Sequence, residues 1–550
     1  MHRKWLSVLL LSIVGCGPTK QTADLVVHHG TIYTMNGAPK AQAMAVTGGR
    51  IVAVGSDESI TKQFTGKTDL DLKGQMVLPG FHDAHVHPVS GGVELAQCVL
   101  NEQTSVEGII ATISACNKAS PGPGWLLGSG WNLSLFPQAN PHKRLLDAIT
   151  TERPILVGGA DGHSSWANST ALATAGIERE TPNPPHGIIE RDANGEASGV
   201  LRESAQDIVR AVIPPESAAA REEGLRRALA LANRYGITSL VEAAAGKDQL
   251  DAYRSAEAKG ELTVRVVASV EVGNDPAFAL MRPQDRGTGA KLRVDSAKIF
   301  VDGVLEGETA ALLQPYLDHP GTSGELKMPP EALATMVTGL DKRGIQVHMH
   351  AIGDRAVRAG LDAIAAAHAA NGPSDNRHHI AHLQLIDPLD RPRFAELGVI
   401  ANFQALWAFP DEYITDVNLP QVGLARVDQM YPIGSVLKAG ARIVGGSDWS
   451  VSSMNPLLAI ETAVTRSDPS GRISGVLNDA ERASLADMLA AYTINGAYLM
   501  HQENQTGSLE VGKAADFVVL ARDLFEIPPQ EIGEVEVMRT VLDGVTVYPR

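Results

Sequence analysis

The sequence predicts an α/β protein: a (β/α)8 TIM barrel carrying a small β-sandwich built from both chain ends. Three observations predict it. Eight short apolar segments alternate with helical patterns through the middle of the chain. His, Lys and Asp residues fall at the C-terminal ends of several of these segments, where barrel enzymes keep their chemistry. The two chain ends share another texture, short β-branched runs broken by Gly and Asn. The length of 550 residues exceeds the roughly 250 of a bare barrel, leaving room for more than one domain.

The chain opens with Arg3 and Lys4, an apolar run over 5–14, then Gly15 and Cys16. That run is too short to span a bilayer as a permanent helix and reads as a signal peptide over 1–16. It resembles a bacterial lipoprotein signal, with Cys16 lipidated and becoming the new N-terminus. Gly17 in second place resembles outer-membrane sorting. The expected location is the bacterial cell envelope, lipid-anchored to the outer membrane and facing the periplasm. Ordinary secretion with an incidental Cys is the alternative.

Segments 24–56, 507–521 and 535–548 carry the short-strand texture, so 21–80 and 503–550 are expected to form one composite β-sandwich. The barrel is expected over 81–502, with strands at 81–87, 237–243, 264–270, 297–302, 345–350, 379–383, 399–404 and 443–448. Helical patterns lie at 216–235, 330–343, 355–370 and 484–494. The gap from 87 to 237 is far longer than an ordinary connection. An inserted subdomain at about 100–215, rich in Gly, Pro, Trp and Asn, accounts for it.

Composition narrows the function. With 47 basic and 63 acidic residues the net charge is −16, which disfavours nucleic acid as a partner. Hydrophobic residues at 44% and charged residues at 20% exclude wholesale disorder. Three Cys exclude a disulfide scaffold or a Cys-rich zinc module. Cys98 and Cys116 read first as two buried thiols, with a pair in an oxidising periplasm as the alternative. The GKT at 66–68 lacks the first Gly of a phosphate loop, because Thr61 stands there. There is no G-x-S-x-G nucleophile elbow.

His85 and His87 end the first strand two residues apart, so both imidazoles face one side. The fourth strand offers Lys298, the fifth His348 and His350, the sixth His378, His379 and His382, and the eighth Asp448. Any one alone is ordinary: a strand His packs in a core, and a Lys snorkels to solvent. Their convergence on one barrel mouth is not, and imidazoles with carboxylates suit Zn²⁺, Mn²⁺ or Fe²⁺.

This pattern resembles the amidohydrolase superfamily. The segments PGFHDAHVH, GWN at 130–132, DGHSSWANS at 161–169, KIFVDG at 298–303, HAIGD at 350–354, GSDW at 446–449 and GSLEVGKAADFVVL at 507–520 are similar to amidohydrolase family 3, the branch containing N-substituted formamide deformylase. The resemblance implies two divalent metals, with Zn²⁺ first in line. His85 and His87 would hold one and His350 and His382 the other. Lys298, carbamylated by CO₂, would bridge them. Asp448 would touch metal and handle protons. His348 is left as a residue behind the ligands or in the wall, and His382 rather than His379 is taken on the sixth strand. The implied reaction is hydrolysis of a C–N bond in a small amide-type molecule by metal-activated hydroxide, Asp448 passing the proton to the leaving nitrogen. Deaminases of the superfamily carry His-x-x-Glu on strand five; here Gly353 stands three after His350. Ester or lactone hydrolysis stays open. A non-catalytic metal- or solute-binding protein would show a lost ligand, and every position is filled. A homodimer is compatible with the sequence. Trp131, Asn132, His163 and Trp166 of the insert, with Asp302, Gln404 and Trp407 of the strand loops, are the expected substrate contacts.

If Cys16 is the lipidation site, mass spectrometry of the mature protein will show a diacylglyceryl-modified N-terminus at that residue. An intact Met1, or an unmodified terminus beyond residue 16, would sink this expectation.

Overall fold

The computed structural model describes residues 20–549 apart from 38, 102, 273–280 and 287–289. Cys16 and the signal segment lie outside the described residues. Eight strands form one sheet: β1 (Phe81–Val86), β2 (Ile237–Ala245), β3 (Arg265–Glu271), β4 (Leu292–Phe300), β5 (Gln346–Ala351), β6 (His379–His382), β7 (Ile400–Phe403) and β8 (Ile443–Gly445). Their spatial order is their chain order, and every neighbouring pair is parallel. The ring closes between β8 and β1 through backbone hydrogen bonds. Asp448 N–H donates to the His85 carbonyl at 2.7 Å, and His87 N–H donates to the Trp449 carbonyl at 2.9 Å.

Alternation decides which side chains meet the helices. Ala297, Ile299, Val347, Met349 and Ile380 join the large apolar cluster, each bulky one worth about 1.5–3 kcal/mol on burial. Lys298, His348 and His379, in register on three adjacent strands, face the interior. Helices α1 (Ala218–Arg234), α2 (Pro330–Lys342), α3 (Asp354–Asn371) and α4 (Leu485–Ala491) cover the outside. In α1, Ser217 caps the N-terminus, and Leu225, Ala228, Leu229 and Ala232 form the buried stripe.

Two smaller sheets stand beside the barrel. One pairs Gln21–His28, Ala43–Thr47, Arg50–Gly55 and Phe64–Asp71. The other joins Thr31–Ile32 and Met76–Pro79 from the start of the chain to Phe517–Leu520, Val537–Leu542 and Val545–Tyr548 from its end. Val27, Val46, Val77, Phe517 and Val519 fill the space between them.

The insert has a sheet of its own, six strands between Cys98 and Glu203. Here the reading of Cys98 and Cys116 as free thiols is corrected. Helix Val106–Ala119 lays Cys116 over the edge strand Cys98–Val99, and the two sulfurs form a disulfide, with Cα atoms 5.9 Å apart.

Closing a loop of 18 residues is worth about 3 kcal/mol in the chain-entropy account. The Cys98→Ala/Cys116→Ala variant is expected to unfold in urea at the midpoint of dithiothreitol-treated wild type. Dithiothreitol should leave the variant itself unmoved. An oxidised wild type no more stable than the variant would remove the disulfide's role.

Candidate metal centre

The seam between β8 and β1 sets the site. Gly446 follows β8, and a Cβ there would stand 2.7 Å from His85 Cβ and 2.8 Å from Gln404 Nε2. Only glycine lets the chain lie this close to β1, and two residues later it delivers Asp448. Asp448 Oδ1 lies 3.3 Å from His85 Nε2 and 3.1 Å from His87 Nε2, and Oδ2 lies 3.9 Å from His382 Nδ1. The ligand atoms of His85, His382 and Asp448 all fall within 4.8 Å of one another.

The sixth strand reaches this point by bending. His379 and His382 have opposite parity, so a regular strand would send them to opposite faces. His382 has φ of +78° and Leu383 +54°, values rare outside glycine. The turn brings His382 inward, 4.7 Å from the His85 ring and 4.4 Å from that of His350. His379 stays inside as well, its ring 4.0 Å from His348. His348 Nε2 lies 2.9 Å from His85 Nδ1, which fixes the His85 ring from behind. His350 lies 3.0 Å from the Gly303 carbonyl. Lys298 is wholly buried, with Nζ 3.4 Å from His85 Nε2 and no carboxylate in ion-pair reach among the described residues.

Electrostatics make these groups ligands. Burial, aided by the Lys298 charge, pushes His85 down to about 3. Burial likewise holds His348, His350 and His382 well below the imidazole range, so all present neutral rings. His87 is the exception: burial opposes its charge, but the carboxylates of Asp448 and Glu242 outweigh it and raise it to about 9. Burial would raise Asp448, yet the facing imidazoles hold it well below the carboxylate range. Burial lowers Lys298 to about 8 against the pull of Asp448.

The donor set fits a divalent cation. Asp448 Oδ1 and His382 Nδ1 are buried and make no hydrogen bond, although both face polar groups. Unpaired lone pairs of an anion and a neutral imidazole, aimed at one point, are what such a cation takes up.

A cavity of about 680 Å³ opens on this point. Asn132, His163, His350, His382, Trp407 and Asp448 line it. The Trp407 ring stacks on His382 at 5.5 Å. Four expected substrate contacts stand elsewhere. Trp131 and Trp166 are fully buried and pack edge-on with Phe136 in the core of the insert, where two indoles fill the space between sheet and helix. Asp302 is buried and accepts backbone N–H bonds from Ala311, Ile352 and Gly353, so it clamps the loop after β4 to the start of α3. Gln404 is buried behind Gly446, with Nε2 donating to Asn402.

Other residues take part without a sequence signal. Glu203, from the last strand of the insert, lies 3.0 Å from His163 Nδ1 and 2.8 Å from Lys327 Nζ. Glu242 of β2 flanks His87 at 3.7 Å. Asp83 accepts from the N–H groups of His85 and Ser447, tying β1 to the segment that carries Asp448.

A model of the Amidohydrolase family, that of amidohydrolase family 3, matches residues 70–548. The chain belongs to this family. Among relatives, Protein LONG AFTER FAR-RED 3 of Arabidopsis thaliana is 32% identical over 97% of this chain and 93% of its own length. The N-substituted formamide deformylase of Arthrobacter pascens is 28% identical over 96% of this chain and 99% of its own. The crystal structure of a metal-dependent hydrolase from Pyrococcus horikoshii OT3 superposes with a TM-score of 0.71 at 25% identity, covering 92% of this chain and 99% of that one. This amidohydrolase is therefore a metal-dependent hydrolase of the amidohydrolase superfamily, with His85, His382 and Asp448 as a metal-binding triad.

In this amidohydrolase, Gly446→Ala should push β8 off β1 and displace Asp448. The expected result is a loss of most bound metal by elemental analysis, with far-ultraviolet dichroism unchanged. Full metal content in a folded variant would disprove the close-approach argument.

Proposed function

We propose that this protein hydrolyses an amide-type C–N bond, N-formyl or N-acyl, in a small molecule. The observation that supports this reading best is Lys298: a buried amine, lowered to about 8, beside His85 and without a counter-ion. An ammonium would repel a cation held at Asp448. A neutral amine instead reacts with CO₂ to a carbamate, supplying the missing anion. On this reading His85 and His87, the latter giving up its proton, would hold one divalent ion, His350 and His382 would hold a second, and a Lys298 carbamate would supply the anion they share; Zn²⁺ is the first choice for both.

Bound divalent ions would supply Lewis acidity, bringing the pKa of a coordinated water towards neutrality and polarising a carbonyl. The chain's own groups do the rest. Asp448, held ionised by the facing imidazoles, accepts a proton at its carboxylate and returns it to the leaving nitrogen, since an amine leaves poorly unless protonated. His87, beside both Asp448 and Glu242, keeps the carboxylate oriented. His163, held by Glu203, presents its ring 5.2 Å from that of His350 at the cavity wall, where it orients the substrate. Trp407, stacked on His382, keeps water from that side. The 28% identical formamide deformylase supports the C–N bond over ester or lactone chemistry. The absence of His-x-x-Glu at His350 argues against ring deamination. Lipid attachment at Cys16, with the enzyme on the outer membrane facing the periplasm, completes the reading.

The test is a panel of N-formyl amides, N-acyl amides and esters with the metal-loaded protein. Amide turnover with at least about 10²-fold loss of kcat in Asp448→Asn, metal largely retained, is the expected outcome. Lys298→Ala should lose metal and activity and regain part of both with added short carboxylic acids. One metal per chain together with an active Lys298→Ala protein would reject the bridge. Esters turned over in place of amides would reject the bond assignment.

A further inference from the structure

The cavity wall built by the insert and the loops after β4 and β7 is acidic, and the only cationic influence resolved on Asp161 and Glu306 among the described residues is that of His163, beyond ion-pair distance. Asp161, Glu306 and Asp411 all line it. Their hydrogen-bond donors are neutral. Ile414 N–H donates to Asp411 at 2.9 Å, and Asn418 Nδ2 donates to Glu306 at 3.1 Å. The Ser164 hydroxyl and the backbone N–H groups of His163 and Ser164 donate to Asp161. Among the described residues no Lys, Arg or His side chain lies within ion-pair distance of these three. Arg472, which also lines the cavity, is turned to the Ser470 hydroxyl at 2.9 Å.

The contrast with Glu203 is instructive. That buried carboxylate has both Lys327 and His163 against it, an ion-paired arrangement that these three cavity carboxylates lack. Burial, reinforced by Glu306 and Glu412, pushes Asp411 up to about 7, and burial also raises Glu306. Carboxyl groups held this way take up a cation strongly once one enters, because little water screens the pair.

Tyr431 gives an independent observation. It lines the same cavity and is only 4% exposed, yet its hydroxyl makes no hydrogen bond among the described residues. A buried phenol without a partner is rare, and this one opens on the cavity.

We infer that this wall is a subsite for a cationic group on the substrate, an ammonium or guanidinium, with Glu306 and Asp411 as counter-ions and the Tyr431 hydroxyl as a further acceptor. The inference rests on the amide-hydrolase reading only for which molecule brings the cation. The subsite itself stands on the wall.

Calorimetric titration of the metal-loaded protein with cyclohexylammonium chloride and with cyclohexanol, at equal ionic strength, tests it. The cation should bind at least about tenfold tighter than the alcohol. The preference should vanish in the Glu306→Gln/Asp411→Asn variant and weaken as salt rises. Equal affinities in wild type, or a preference that survives in the variant, would overturn the subsite. A second comparison uses matched N-acyl amides ending in an ammonium or a methyl group, with a lower KM expected for the ammonium. Cation preference without turnover of any amide would keep the subsite and sink the amide reading. Turnover of both amides with equal KM and equal binding would do the reverse.

Discussion

Closure of the barrel between β8 and β1 is the constraint on which the rest depends. The backbone bonds that seal the ring are made by His85, His87, Asp448 and Trp449. Two of these, His85 and Asp448, also belong to the His/His/Asp triad, and His87 flanks it. Closing the fold and assembling the centre are therefore one event, and neither tolerates a change in register. Asp83 strengthens the coupling, since its carboxylate takes the N–H of His85 on one strand and of Ser447 on the other. Gly446 makes the approach sterically possible. The precision a metal site demands is obtained from rigid strands rather than from loops.

The insert plays the opposite part. It brings its own core, with Trp131, Trp166 and Phe136 at the centre, and its own disulfide. It can present Asn132, Asp161 and His163 to the cavity without drawing stability from the barrel. Glu203 joins the two bodies, because its carboxylate meets His163 within the insert and both Lys327 and Thr309 in the loop that follows β4. The barrel fixes where bonds break, and the insert with the β4 and β7 loops fixes what enters. Variation in the second set leaves the first untouched.

The barrel was legible because parallel strands buried on both faces read as apolar runs, and all eight expected segments overlap the observed strands. The inward face was legible where parity holds, as for His348 and His350 on β5. Parity failed at β6, since a positive φ at His382 leaves no trace in a strand pattern. The edge strand Phe64–Asp71 carries Gly66, Lys67 and exposed Thr65, Thr68, Asp69 and Asp71, so nothing in its composition marks it as a strand. Trp131 and Trp166 look alike whether they line a cavity or fill a core, and only the sheet of the insert decides. Glu203 pairs with His163 across 40 residues of chain, a contact that exists only once the strands of the insert have paired. Cys98 and Cys116 meet for the same kind of reason, a helix laid over an edge strand.

Stability alone does not account for what the barrel holds at its centre. An ammonium buried without a partner costs several kcal/mol, and an apolar side chain at Lys298 would fill the same space without that cost. Asp448 Oδ1 and His382 Nδ1 are buried atoms without a hydrogen bond, whereas the carboxylates of Glu203 and Asp302 are satisfied. Asp448 and His382 also hold φ values of +51° and +78°, a conformation that side-chain-bearing residues avoid. Each departure has its own physical origin: desolvation, unmet hydrogen bonding and backbone strain. Single departures of these kinds occur elsewhere in the molecule, as at Asp295 Oδ1 and Asn478. Here they meet within a few ångströms of His85, at the one place where an added cation and an added anion would relieve the first two together.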